Sequence, residues 1–249
     1  MHQLIVIPCY NESGRLPLDD YIEFLSSSEN CSLLFCDDGS KDDTLRLLQH
    51  IKNTFPEKVE ILPLAQNAGK AEAIRQGVQF AVTSQIGFDS IAYLDADLAT
   101  SLMECREIMA LIDGDILCAF GSRIAKIDSI IERRRFRHYV GRIIATAIYC
   151  VLRLRIYDTQ CGCKAFARET ASTVFKDKFL SRWLFDVEIF YRLILLHGRK
   201  KMHELCREVP LKRWRDVSES RVSLAYGFKL WIDLFLFSVK VFFAIHPIN

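Results

Sequence analysis

Short apolar runs alternate with amphipathic stretches through the first 120 residues. Residues 4–8 form an apolar run that predicts a strand, and after a polar loop the pattern over 18–27 predicts a helix. Residues 32–36 predict a second strand. Asp42 or Asp43 then caps a helix running to about residue 53, because a short carboxylate accepts from the free N–H groups of a first turn. Residues 59–64, 91–94 and 116–120 predict three more strands, with a helix over about 69–84 between the first two. Strands alternating with helices predict an α/β fold with a mostly parallel sheet flanked by helices. In such a sheet, ligands sit beyond the carboxyl ends of the strands.

Polar and charged side chains fall at those ends. Asn11 and Glu12 follow the first strand, Asp37 and Asp38 the second, and Asn67 and Lys70 the third. Asp95 and Asp97 close the fourth strand, and Gly121-Ser122-Arg123 follows the fifth. One polar loop means little, but five successive ones predict a single crevice. Carboxylates at i and i+2 where a strand leaves its sheet can share one Mg²⁺ or Mn²⁺. Such hard cations prefer carboxylate oxygen and keep substrate phosphates as further ligands. Asp-x-Asp alone is short and common in solvated turns, and Asx capping would explain Asp37-Asp38-Gly39-Ser40 without any ligand. Lys70 alone would read as a surface lysine at a helix start. The series of ends is what points to a site. No Gly-x-Gly-x-x-Gly and no Gly-Lys-Ser/Thr loop is present, which argues against a dinucleotide-binding or P-loop fold.

Past residue 124 the pattern changes. A basic helical region runs to about 155, and a helix is predicted over 168–174. Trp183 opens an apolar helix ending near His197-Gly198, with Trp183, Phe185 and Phe190 as core residues. Glu208-Val209-Pro210 reads as a last short strand. Without repeats or a linker, residues 1–222 form one domain and 223–249 an apolar helical segment. The longest apolar stretch, 230–245, carries Asp233 and Lys240 and falls short of the roughly 20 uninterrupted residues that span a bilayer. That stretch and 143–152 each suit a core helix or a membrane interface.

Composition narrows the partners. Half of the 249 residues are hydrophobic, enough for a sizeable core, and the formal net charge is +2, which excludes a nucleic-acid binder. The basic residues are uneven, with Arg133, Arg134, Arg135, Arg137 and Arg142 within ten residues. Such a cluster is either a solvated face or a patch for anionic lipid or phosphate. Nine cysteines are scattered singly and no signal peptide precedes the first strand, so reduced thiols and a cytoplasmic location are expected. Cys161-Gly162-Cys163 has no second Cys/His pair, so zinc is not expected. The six histidines show no ligand spacing.

Taken in order, Ile7-Pro8-Cys9-Tyr10-Asn11-Glu12, Asp37-Asp38-Gly39-Ser40, Asn67-Ala68-Gly69-Lys70, Asp95-Ala96-Asp97 and Gly121-Ser122-Arg123 resemble the inverting family 2 glycosyltransferases of GT-A fold. Asp158-Thr159-Gln160-Cys161-Gly162-x-Lys164-x-Phe166 and Arg182-Trp183-x-Phe185-Asp186-Val187-Glu188 are similar to the polyprenyl-phosphate sugar transferases. Leu98-Ala99-Thr100 and Arg182-Trp183 look most like the glucose-transferring members of that branch. The resemblance covers nearly all of residues 3–222.

It implies a nucleotide-sugar donor, UDP-glucose first, a polyprenyl phosphate acceptor, and Mg²⁺ or Mn²⁺. Pro8, Tyr10 and Glu12 would line the nucleotide pocket, Asp38 would hold base or ribose, and Lys70 would lie near the nucleotide. Asp95 would sit near ribose and metal, and Asp97 would ligate the metal. Arg123 and Arg137 would contact the acceptor phosphate, with Gln160 and Lys164 close to sugar or phosphate. Asp186 and Glu188 would face the donor sugar. Peripheral contact with the cytoplasmic face of a membrane would come from the later amphipathic segments.

An acceptor phosphate is already anionic and needs no base, whereas a saccharide hydroxyl needs a carboxylate to take its proton. Asp186 and Glu188 therefore orient the sugar in the first case, and one of them is the base in the second. Mannose in place of glucose, transfer to a saccharide hydroxyl, and an inactive nucleotide-sugar-binding subunit are the other readings. The chain departs from the family pattern at Cys163, where an aromatic is common, and at Ala68-Gly69-Lys70-Ala71-Glu72, which replaces a more glycine-rich turn.

Overall fold

The computed structural model of the chain describes residues 1–84, 86–132 and 135–215, without the side chains of 132–140. The first half runs β1 Gln3–Cys9, α1 Leu18–Ser27, β2 Cys31–Asp37, α2 Thr44–Thr54, β3 Val59–Pro63, α3 Lys70–Thr83, β4 Ser90–Leu94, α4 Leu102–Met109 and β5 Cys118–Ser122. Then follow β6 Ile130–Glu132, α5 Arg135–Leu152, β7 Cys163–Ala167, α6 Arg168–Val174, α7 Phe185–His197, α8 Met202–Leu205, β8 Cys206–Pro210 and β9 Arg213–Arg215.

Among the described residues seven strands form one sheet in the order β3-β2-β1-β4-β7-β5-β8, and β6 pairs with β9. The expected parallel pairing holds for β1 with β2 and β4, β2 with β3, and β5 with β8. β7 is the exception, running antiparallel to both neighbours, β4 and β5. Cys9 lies opposite Asp37, and Asp37 opposite Pro63, so the exits of β1, β2 and β3 are level.

Strand alternation sends side chains to two cores. Leu4, Val6, Leu34 and Cys36 pack under α3, α5, α6 and α7, while Ile5, Ile7, Leu33 and Phe35 pack under α1, α2 and α4. Helix α3 lies close against the sheet because Gly77 faces it. A Cβ there would come within 2.7 Å of Val6 Cγ1.

The α2 cap falls to Asp42, whose Oδ1 accepts from Thr44 N at 3.0 Å, while Asp43 occupies the N-cap position without a side-chain bond. Helix α4 and strand β7 are additions to the expected pattern. Backbone N–H of Arg215 donates to Ala99 O at 3.3 Å, fastening β9 to the loop after Asp97. Among the described residues no helix is long and apolar enough to cross a membrane. Arg133, Arg134, the side chains of Arg135 and Arg137, and the segment 223–249 lie outside the described residues.

Candidate active site

The exits of β1 to β4 open into one cavity of about 440 Å³. Pro8, Tyr10 and Glu12 line it from β1, Asp38 from β2, Asn67, Gly69 and Lys70 from the start of α3, and Asp95 and Asp97 from β4. Arg15 and Trp183 complete the wall. All six expected donor-side residues, and both metal candidates, are therefore brought together.

Each is held by local chemistry. Asp38 is buried, and its carboxylate accepts from Asn67 Nδ2 at 2.9 Å and from the N–H groups of Ala68 and Gly69 at 2.8 Å each. Burial lifts its carboxyl above the usual range, and the two N–H groups partly offset this. With those donors in place, Asp38 shapes the turn into α3 as well as lining the cavity. Lys70 opens α3 and forms an ion pair with Asp95. Burial works against its charge, but the carboxylates of Asp95 and Asp186 outweigh it and hold the ammonium above its ordinary range. Asp97 accepts from Ala99 N at 3.1 Å, and its carboxyl is pushed up by desolvation and by the neighbouring Asp95.

Two like charges pushed together in a partly desolvated corner favour a cation. When ionised, the four cavity carboxylates Glu12, Asp38, Asp95 and Asp97 outnumber Arg15 and Lys70 by two charges. A nucleoside diphosphate brings further negative charge, which a divalent ion would offset. The oxygen donors of Asp95 and Asp97 fit Mg²⁺ or Mn²⁺. Among the described residues no group of three or more His, Cys, Asp or Glu is set to hold a metal ion, so phosphate or water oxygens would complete the shell around the pair.

The other expected residues are placed differently. Lys164 is fully buried, its Nζ bonded to Asp186 and to Cys161 O at 2.7 Å, so it does not reach the cavity. Asp186 also accepts from the buried Tyr93 hydroxyl. Glu188 is buried and turned to Arg192 at 2.8 Å, and it accepts from Leu180 N at 2.8 Å. Neither carboxylate lines the cavity. The structure does not bring Lys164, Asp186 or Glu188 to the cavity: each side chain is held in a buried ion pair.

Arg123 follows β5, but β7 stands between β4 and β5, so the fifth exit is displaced from the other four. The Arg123 guanidinium binds Asp158 at 2.6 and 2.8 Å and lies 5.2 Å over Trp214. Desolvation opposes the Asp158 charge, but hydrogen bonds and charge from Arg123 hold the carboxyl below its usual range. Gln160 is half-buried, its N–H donating to Asp158 Oδ1 at 3.2 Å. The Arg137 side chain lies outside the described residues.

Trp183 was expected in the core; instead it is 37% exposed and lines the cavity, because α7 begins two residues later. Arg15 was not foreseen. Its only signal is a charge three residues after Glu12, and a turn brings the two together. Tyr93, read as plain strand, supplies a buried phenol to Asp186.

Residues 4–175 match the family model described as Glycosyl transferase family 2. A relative from Dictyostelium discoideum named dolichyl-phosphate beta-glucosyltransferase is 34% identical over 204 residues, covering 75% of this chain and 60% of that one. One of the same name from Saccharomyces cerevisiae is 30% identical over 267 residues, covering 98% and 76%. The chain thus spans about three fifths of the Dictyostelium relative's length. The crystal structure of glucosyl-3-phosphoglycerate synthase from Mycobacterium tuberculosis, in complex with Mn²⁺, uridine diphosphate and glucosyl-3-phosphoglycerate, superposes with a TM-score of 0.68. It covers 96% of this chain and 79% of that one at 16% identity, a likeness of fold.

Proposed function

The chain belongs to glycosyltransferase family 2 and has the GT-A fold, and on that premise we propose that it moves glucose from UDP-glucose to a polyprenyl phosphate of the dolichyl or undecaprenyl type. The observation that carries this acceptor is the state of Asp186 and Glu188. A hydroxyl acceptor needs a carboxylate free to take a proton. Asp186 is instead engaged by Lys164 and Tyr93, and Glu188 by Arg192. An acceptor phosphate carries its own negative charge and needs no such base. The names of the relatives support the same acceptor and the glucosyl donor.

In this reading an acceptor phosphate oxygen attacks the anomeric carbon as the bond to the donor's β-phosphate oxygen breaks. The electron pair leaves with the nucleoside diphosphate, and attack from the opposite side inverts the anomeric centre. Asp95 and Asp97 would hold Mg²⁺ or Mn²⁺, which supplies Lewis-acid stabilisation of the diphosphate. Lys70 adds positive charge beside Asp95, where the leaving group gathers negative charge. Asp38 keeps the turn before α3 in place around the nucleotide, with Pro8, Tyr10 and Glu12 lining the cavity from the neighbouring strand β1. Asp186 positions the sugar end of the cavity through its bonds to Tyr93 and Lys164, and Glu188 fixes the start of α7. Arg123, Gln160 and Arg137 are assigned to the acceptor phosphate. We assign catalysis to residues 1–222 and interfacial contact to 143–152 and 223–249 together, on the cytoplasmic face of a membrane where a soluble donor meets a lipid acceptor.

The test is a partition assay. Purified protein is incubated with labelled UDP-glucose, or with GDP-mannose in parallel, and polyprenyl phosphate, with and without Mn²⁺ or Mg²⁺. Metal-dependent label from UDP-glucose in the organic phase is expected. Label only from GDP-mannose would overturn the sugar. Label only in a water-soluble saccharide would overturn the acceptor.

A further inference from the structure

Arg15 stands on the cavity wall with Asp97, and nothing in the proposed reaction uses it. Its position is built rather than incidental. Residues 12–16 turn back on themselves, with Arg15 N and Leu16 N donating to Glu12 O at 2.9 and 2.8 Å. Glu12 N donates to Thr44 Oγ1 at 2.7 Å, which ties the turn to the start of α2. The Glu12 side chain is buried and receives the side-on edge of the guanidinium: Nε on Oε2, and Nη2 on Oε1 at 2.6 Å.

A guanidinium has two parallel-donor edges. Glu12 takes one. Among the described residues nothing bonds the other edge, made by Nη1 and Nη2, and the Arg15 side chain is 29% exposed. The bond to Glu12 and then the negative charges of Glu12, Asp97 and Asp95 hold the guanidinium charged against desolvation, and Arg15 lines the same cavity as that acid pair. An Arg held this firmly has given up its rotamer entropy before any ligand arrives, and its free fork matches the spacing of phosphate oxygens. The cavity also has more carboxylate than cation, so an anion entering it gains most from the cation that keeps unused donors.

We propose that Arg15 is a phosphate-binding residue of the donor cavity, gripping the distal phosphate of a nucleoside diphosphate beside the Asp95–Asp97 pair, with Glu12 as the residue that positions it. This rests on the nucleotide-sugar reading given above. It changes the part played by Glu12, which reaches the nucleotide through Arg15. The competing source of a phosphate is the lipid acceptor, and the test separates the two.

Titration calorimetry on the full chain with Mn²⁺ would compare UDP with UMP, and GDP with GMP in parallel, for the native protein, Arg15→Met and Arg15→Lys. Arg15→Met should weaken UDP binding by about tenfold or more, the scale of a lost charge-assisted pair, and UMP binding by less than about threefold. Arg15→Lys keeps the charge but not the fork, and should lie between. It also carries the comparison if thermal melts show that Arg15→Met does not fold. Equal losses for UDP and UMP, or unchanged UDP binding with a raised KM for polyprenyl phosphate alone, would overturn the assignment. Native protein that binds neither UDP nor GDP would overturn the nucleotide-sugar reading itself, and Arg15 with it.

Discussion

Arg123 and Asp158 show how a motif residue serves the fold before it serves a substrate. Both are largely out of water, and Asp158 also accepts from the Arg123 backbone N–H at 3.2 Å. Because the folded carboxyl titrates below its unfolded value of about 3.9, the pair contributes stability that is fully present above about pH 4. That contribution is lost as pH falls through the lower folded value. Asp158→Asn should therefore destabilise the protein by about 2–4 kcal/mol at pH 7, since a buried guanidinium loses its counter-charge. Urea melts at pH 7 and pH 3 would check this: the gap to the native protein should narrow at the lower pH, and a gap of the same size would refute the linkage. Arg123 and Asp158 both fall in motifs legible in the sequence, but the sequence could not pair them, because they meet at the adjoining ends of β5 and the unforeseen strand β7. The donor-side acids were legible for the opposite reason. Each follows directly on a strand whose apolar run announces where it ends.

At the scale of elements, β7 explains most of what the sequence left hidden. Its residues Cys163-Lys164-Ala165-Phe166-Ala167 put a lysine inside a strand whose side chains are almost all buried, and that breaks the apolar pattern. Asp186, 22 residues further on, supplies the counter-charge and Cys161 O a further acceptor that make the lysine tolerable there. Helix α4 carried a readable signal, Ser101-x-x-Glu104, and Ser101 does accept from Glu104 N at 3.2 Å. Its eight residues are too few for periodicity to show. The turn into β7 also shapes the site. Gly162 lies against Asp95, so a Cβ at that position would overlap the carboxylate. Gly162→Ala should leave stability within about 1 kcal/mol of native, since Asp95 can swing toward the cavity. It should weaken Mn²⁺-dependent UDP binding by about tenfold, because the carboxylate pair is no longer set. Melts alongside a Mn²⁺ titration would separate the two effects, and unchanged UDP binding would remove Gly162 from the site.

Over the whole molecule, the soluble donor and lipid acceptor proposed here require a face that meets a membrane, and α5 and α7 offer one. Helix α5 packs Ile144, Ala147, Ile148 and Val151 on the core while Ile143, Thr146, Tyr149 and Cys150 point outward. Leu195 and Leu196 are exposed at the end of α7, which packs beside α5. Arg199, Lys200 and Lys201 follow that helix, and Arg199 Nε donates to Leu152 O at the end of α5 at 2.9 Å, which brings basic residues to the same pair of helices. An interfacial surface combines those two properties, and each apolar side chain it buries contributes about 1.5–3 kcal/mol. Neither Ile143 nor Tyr149 lines the donor cavity, so nucleotide binding and membrane binding should come apart. Ile143→Asp with Tyr149→Asp should reduce binding to phosphatidylcholine–phosphatidylserine vesicles by about tenfold or more in a flotation assay, while UDP affinity stays native. Raising salt should weaken native binding further through the basic residues, because a surface attraction is screened within about 10 Å at 0.1 M. Vesicle binding that survives both the double substitution and high salt would place the membrane-facing surface elsewhere on the chain.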